Sequence, residues 1–179
     1  NGTFTHQTFG RRGMRYIRLT FEPNVKVDSQ ISILTSRFPS KKLGQFQSDD
    51  KLLNQIYTIG EDTLKWGAQD QFDDSFIHER AQYLGDVYVD LLMGFYSYNP
   101  QQLAKKALFQ YASTQKPSGL IETVYPSGLH QTILSYNLLF VSMLKDYYLY
   151  TKDDETLNAL LPTAEKIVAG VGTLKNDNG

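Results

Sequence analysis

The chain has 179 residues and is 41% hydrophobic, enough to build the core of one ordinary domain or of parts of two. Its net charge of −1 supplies no basic field for nucleic acid or an anionic membrane, and no apolar run approaches a bilayer span. With 0 cysteines and with His6, His78 and His130 far apart, disulfides, thiolate nucleophiles and Cys- or His-based metal sites are not expected, and no cofactor is implied.

The first forty residues read as β. Met14 to Phe21 alternates apolar and polar side chains, as a half-buried strand does. Residues 31–35 and 4–9 give two more short candidates, so that 1–40 reads as the C-terminal strands of a larger β-sandwich domain. From Ser48 the period becomes helical. Leu52, Leu53, Ile56 and Ile59 form a stripe, with Ser48 or Asp49 as N-cap. A second helix carries Leu84, Val87, Tyr88, Leu91, Leu92 and Phe95 on one face. Asn99 then caps a third helix that starts at Pro100 and buries Leu103, Ala107, Leu108 and Tyr111. A turn-rich loop from Lys116 to Gly128 leads to residues 133–150, apolar almost all round, which marks a buried helix. Asp153 caps a short turn, and Pro162 opens a last helix with Ala164, Ile167 and Val168 on its face. Strands followed by about five helices argue against a parallel βαβ fold. Successive helix hairpins without a repeated motif favour a helical barrel over a solenoid. The expected class is therefore mainly α, part of a helical barrel over residues 41–179.

The segment from Asp73 to Asp90 concentrates chemistry. Asp73, Asp74, Glu79, Asp86 and Asp90 lie close in sequence to His78, Arg80 and Tyr83. If a helix runs through Glu79, then Glu79, Tyr83, Asp86 and Asp90 share one face, about 100° from the Leu84/Val87/Leu91 stripe. If the helix begins nearer Tyr83, Asp86 lies in its first turn, where the helix dipole favours a negative charge. A solvated acidic face would show the same pattern. The chemical alternative is a glycosidase site. There one carboxyl group donates a proton to the leaving oxygen, another acts as base or nucleophile, further carboxylates grip hydroxyls, and an aromatic stacks on the ring.

At these residues the chain resembles the bacterial α-L-rhamnosidases built on an (α/α)6 barrel, whose motif runs approximately D-C-P-x-x-E-R-x-x-W/Y-x-G-D. Residues Asp74 to Asp86 read D-S-F-I-H-E-R-A-Q-Y-L-G-D, in register without a gap. The resemblance extends to residues 44–56, 14–19, 119–121 and 147–153. It implies Glu79 as general acid, Asp74 and Asp86 as carboxylates that hold rhamnose hydroxyls, and Tyr83 as the aromatic against the ring. Arg80 joins the substrate-binding set by orienting or charge-balancing the carboxylates. The resemblance also implies inverting hydrolysis of terminal α-L-rhamnosyl residues, with the two acting carboxyl groups roughly 6.5–9.5 Å apart. Two departures stand out: Ser75-Phe76 replaces the family's Cys-Pro, and the family's base falls in later sequence that these residues do not include. The implied partner is a carbohydrate, a rhamnoside, with no nucleic acid and no membrane. A homodimer and either a cytoplasmic or a periplasmic or secreted bacterial setting stay open. The alternatives are a related helical-barrel glycosidase for another sugar and a non-catalytic carbohydrate-binding relative.

Outside the motif, His78 reads as a loop or surface residue and Trp66 as a helix-packing one. Tyr125 and His130 sit in the long loop, where they could reach a substrate or simply cover a surface.

Overall fold

Five helices follow one another: α1 (Lys51–Gly67), α2 (Leu84–Ser97), α3 (Gln101–Ala112), α4 (Leu134–Thr151) and α5 (Asp154–Gly172). The computed structural model describes residues 2–174. The helices form an array of antiparallel hairpins in two layers. α2 lies beside α4, α3 lies beside α5, and the hairpin neighbours α2–α3, α3–α4 and α4–α5 pack across the layers; α1 packs on α2 alone among the helices. The core between the layers contains Leu84, Val87 and Leu91 of α2, Leu103, Ala107, Leu108 and Tyr111 of α3, Phe140, Met143 and Tyr147 of α4, and Leu160 and Ile167 of α5. These are the apolar positions that helical spacing predicts for α2 and α3.

The expected strands do not form. Residues 2–50 contain neither helix nor strand, and Met14, Tyr16, Ile17, Leu19 and Phe21 are exposed. An alternating pattern makes a strand only when a neighbouring strand takes its backbone hydrogen bonds. Here those groups find few partners within the described chain. The segment is tied to the helical region at several places, among them the following. Phe38 N–H donates to the Ala68 carbonyl (2.8 Å), Leu43 and Gly44 N–H both donate to Ser97 (2.8 Å each), and Lys42 pairs with Glu61 (2.7 Å).

Several helix details differ from expectation. The cap of α1 is Asp50, whose carboxylate accepts the Leu52 N–H at 2.8 Å, while Ser48 is engaged with Asn54. The Leu52, Leu53, Ile56 and Ile59 stripe is exposed, and α1 buries Glu61, Leu64 and Gly67 near its other end instead. α4 buries one side and exposes Leu138, Leu149 and Tyr150 on the other. α5 does not open at Pro162; it starts at Asp154, capped by Asp153, and carries Pro162 inside. Proline there frees the carbonyl of Asn158, four residues back, and both residues are exposed, so water can take that group.

Candidate active site

The acidic segment occupies the connection from α1 to α2. Phe72, buried in the core, anchors it, and Ala68 pairs with Phe72 in an isolated bridge. Asp73 is wholly engaged in holding this turn. Its N–H donates to Gly67, and its carboxylate pairs with Arg11 and accepts from Gln71 Nε2 (3.0 Å). Asp74 closes a loop. Its N–H donates to the Ala81 carbonyl (3.1 Å) and its Oδ1 accepts the Ala81 N–H (2.8 Å). Between these clips, Phe76, Ile77, His78, Glu79 and Arg80 project into solvent. Arg80 adopts a left-handed backbone (φ 48°) and donates from Nη1 to the Arg11 carbonyl at 2.6 Å. Its guanidinium thus binds the N-terminal segment, and no ion pair to a carboxylate forms among the described residues.

The chain then straightens before entering α2. Tyr83 bridges Val124, Leu84 N–H donates to the Thr123 carbonyl (2.9 Å), and Tyr125 N–H donates to the Gln82 carbonyl (3.2 Å). The Gln82 side chain is buried and donates to the Tyr125 carbonyl (2.7 Å) and Gln110 Oε1 (3.0 Å), while Tyr111 donates its hydroxyl to the Gln82 carbonyl (2.9 Å). This pairing fixes where α2 begins. Glu79 therefore lies in the loop, and Asp86 in the first turn of α2, near the positive end of the helix dipole. The first turn of α4 packs alongside. A Cβ on Gly85 would meet the Tyr136 ring at 2.4 Å, so glycine permits the approach.

The predicted acids come together here, by the loop's fold and not by helical spacing. The Glu79 carboxylate at the Tyr83 hydroxyl is the largest cause of a raised phenol pKa, with smaller contributions from burial and from the charges of Asp74 and Asp86. Burial raises Asp86, its own backbone N–H opposes the rise, and Asp74 and Glu79 add to it. Asp90, one turn further along α2, is pushed up to about 7 by burial and by Asp86 and Asp74. Asp74, Glu79, Tyr83, Asp86 and Asp90 thus act on one another at the start of α2. Among the described residues no group of acids and histidines converges as metal ligands would. The arrangement offers hydrogen-bond acceptors for hydroxyl groups, two exposed carboxyl groups on Glu79 and Asp86, and a half-buried aromatic face.

The α3–α4 loop meets this segment through backbone. Tyr125 packs on the core, while His130 is exposed and approaches Glu122 (Nδ1 to Oε1, 3.3 Å). Lys116 pairs with the same Glu122 oxygen (3.0 Å) and donates to Thr132 (2.7 Å). Burial alone would raise Glu122, but Lys116 and His130 together outweigh it and hold the carboxyl below its usual range. Sequence spacing does not reveal this second group, because its members meet only when the loop folds. Asp90 was legible, one helical turn beyond Asp86, but belongs to no motif. Trp66 is not a core residue; it is partly exposed on α1, with Arg37 over its ring at 5.9 Å.

Residues 41–178 match the family described as the bacterial alpha-L-rhamnosidase 6 hairpin glycosidase domain, and the chain belongs to that family. Its helices are part of that mainly α, six-hairpin architecture. Among solved structures, the chain resembles a rhamnosidase from Klebsiella oxytoca with rhamnose bound, at 24% identity and a TM-score of 0.68, over 74% of this chain and 27% of that one. It also resembles a GH78 family rhamnosidase of Bacillus sp. GL1, at 18% identity and a TM-score of 0.75, over 79% of this chain and 15% of that one. At these identities the likeness concerns the fold, and the chain spans well under a third of either structure. No curated protein matches.

Proposed function

We propose that this chain forms part of a glycoside hydrolase that releases terminal α-L-rhamnosyl residues with inversion. The observation that carries the reading is the mutual influence of Asp74, Glu79, Tyr83 and Asp86 at the start of α2, in a chain of the rhamnosidase domain family. Glu79 is the general acid. Its exposed position on a clipped loop lets its proton reach the glycosidic oxygen of a bound sugar. Asp86 and the free oxygen of Asp74 accept sugar hydroxyls, and Tyr83 lies against the ring. Arg80 serves by holding the loop to Arg11. Inversion needs a second carboxylate that activates water on the opposite face of the sugar. Residues 1–40 lie before the matched region and are read as belonging outside the helical domain.

The test is Glu79→Gln in the protein that carries this chain, assayed on a rhamnoside with a poor, natural leaving group. Turnover should fall by about 10²–10⁴-fold with the fold intact, as expected for the loss of a general acid. Undiminished turnover would remove Glu79 from the mechanism, and activity on other glycosides but not rhamnosides would move the protein to a related sugar specificity.

A further inference from the structure

The side chain of Gln82 has no part in the chemistry proposed above, yet it stands one residue before Tyr83 and ties three segments together. It is only 1% exposed, a place where an amide is costly unless its hydrogen bonds are made. Nε2 carries two protons and finds two acceptors, the Tyr125 carbonyl (2.7 Å) on the α3–α4 loop and Gln110 Oε1 (3.0 Å) on α3. The Gln82 backbone carbonyl is also used twice, accepting the Tyr125 N–H (3.2 Å) and the Tyr111 hydroxyl (2.9 Å). Oε1 is buried without a partner among the described residues, so Nε2 and the backbone carry the whole attachment. One residue thus grips both peptide groups of Tyr125 and two successive side chains of α3.

Tyr83 stands between two fixed points. Gln82 is clamped on one side; on the other, the Leu84 N–H donates to the Thr123 carbonyl (2.9 Å), and Tyr83 itself bridges Val124. The loop that carries Glu79 is fastened separately, by the two bonds between Asp74 and Ala81. An apolar side chain at position 82 would leave the Tyr125 carbonyl without its donor and loosen the Tyr83 side of that clip, not the Glu79 side. We propose that Gln82 is a positioning residue of the acidic site: its amide locks α3 and the α3–α4 loop against residues 82–84 and so sets where the Tyr83 ring stands. The lock consists of hydrogen bonds; that the ring receives a sugar rests on the glycosidase reading. Because the acid is fastened elsewhere, loss of the lock should weaken sugar binding more than proton donation.

Double-mutant cycles on the protein that carries this chain test the role, with an aryl α-L-rhamnoside as substrate. Gln82→Met, close in volume and without the amide, should raise KM about tenfold while kcat changes by less than about twofold. In a Tyr83→Ala background the same substitution should change KM by less than about twofold, because the ring it positions is gone. An unchanged KM for Gln82→Met, or an equal rise in both backgrounds, overturns the positioning role. Gln110→Leu removes one of the two Nε2 acceptors at a half-buried place and should raise KM about threefold, again only when Tyr83 is present. It decides the matter by the same rule if Gln82→Met does not fold. A measurement without substrate separates the lock from the glycosidase reading. Carbon-13 NMR of the tyrosine rings, with Tyr83 assigned by Tyr83→Phe, should show its phenol titrating above the ordinary range, and Gln82→Met or Gln110→Leu should return it toward that range. A Tyr83 titration that is the same in the wild type and both variants overturns the lock. If the wild type cleaves no rhamnoside, the glycosidase reading fails and the tyrosine titration alone decides the positioning.

Discussion

One oxygen of the Asp74 carboxylate accepts the Ala81 N–H at 2.8 Å, and the other has no partner among the described residues. The first clips the loop that presents Glu79; the second is the oxygen proposed above to accept a sugar hydroxyl. Two substitutions separate these tasks. Asp74→Asn keeps an acceptor for Ala81 and removes the charge, so chemical denaturation should differ from wild type by less than about 0.5 kcal/mol while sugar binding weakens. Asp74→Ala leaves the Ala81 N–H without its partner and should destabilise the loop by about 1–2 kcal/mol. If Asp74→Asn loses as much stability as Asp74→Ala, the clip depends on charge and the two tasks are one. The same division explains why the sequence pattern was ambiguous at this scale. Asp73 and Asp74 are adjacent and chemically alike, yet Asp73 is consumed by Arg11 and Gln71 and only Asp74 keeps a free oxygen. Those partners lie up to 62 residues away along the chain, beyond the reach of local spacing.

At the scale of elements, apolar periodicity locates α1, α2, α3 and the second half of α5, because a helix that packs on one side must repeat its apolar residues about every 3.6 positions, while α4 is legible from a nearly continuous apolar run. The period says which face is apolar and nothing about what covers it. The α1 stripe is helical as read, yet none of its four residues is buried. Nor does it show whether the acids gather along a helix face or through a loop. Pairing of Gln82–Leu84 with residues 123–125 decided that, and this contact is between segments distant in sequence. Helix starts are less legible: Asp153 reads as the cap of a short turn and Pro162 as a helix start, whereas Asp153 caps α5 itself. Asp153 accepts from Thr156 N–H (3.0 Å) and Thr156 Oγ1 (2.7 Å), from Tyr147 (2.8 Å) and from Lys105 (3.2 Å). The Thr156 backbone N–H is the first cause holding its carboxyl well below the usual carboxylate range. A carboxyl group with a lowered native pKa stabilises the fold at pH values above its unfolded pKa, and that contribution is lost as pH falls through the native value. Asp153→Ala should therefore cost about 1–2 kcal/mol at neutral pH, the range for an N-cap, with the difference from wild type shrinking under strongly acidic conditions. Thermal unfolding of both proteins across the acid range checks this, and a gap that does not narrow with acid would assign the loss to packing.

At the scale of the whole molecule, the question is whether these 179 residues hold a complete hydrolytic pair. The carboxylates that act on one another, Asp74, Glu79, Asp86 and Asp90, all come from one loop and the helix it enters. They share a starting direction, whereas inversion needs a base across the sugar from the acid. The other acids near or beyond the site do not supply one. Glu122 is held by Lys116 and His130, and one of its oxygens is buried. Glu155 and Glu165 are exposed on α5, which packs on α3 and α4 and not on α2. A purified polypeptide of these residues should accordingly leave an aryl α-L-rhamnoside intact over hours, at pH values from 5 to 8. It should still show the Tyr83 and Asp86 perturbations by NMR, because those depend on the local fold alone. Steady hydrolysis that disappears in Glu79→Gln would mean that a carboxylate within this chain reaches the far face of the sugar, and Glu122 would be the first to substitute. Hydrolysis unaffected by Glu79→Gln would instead point to a contaminating enzyme or to a different acid.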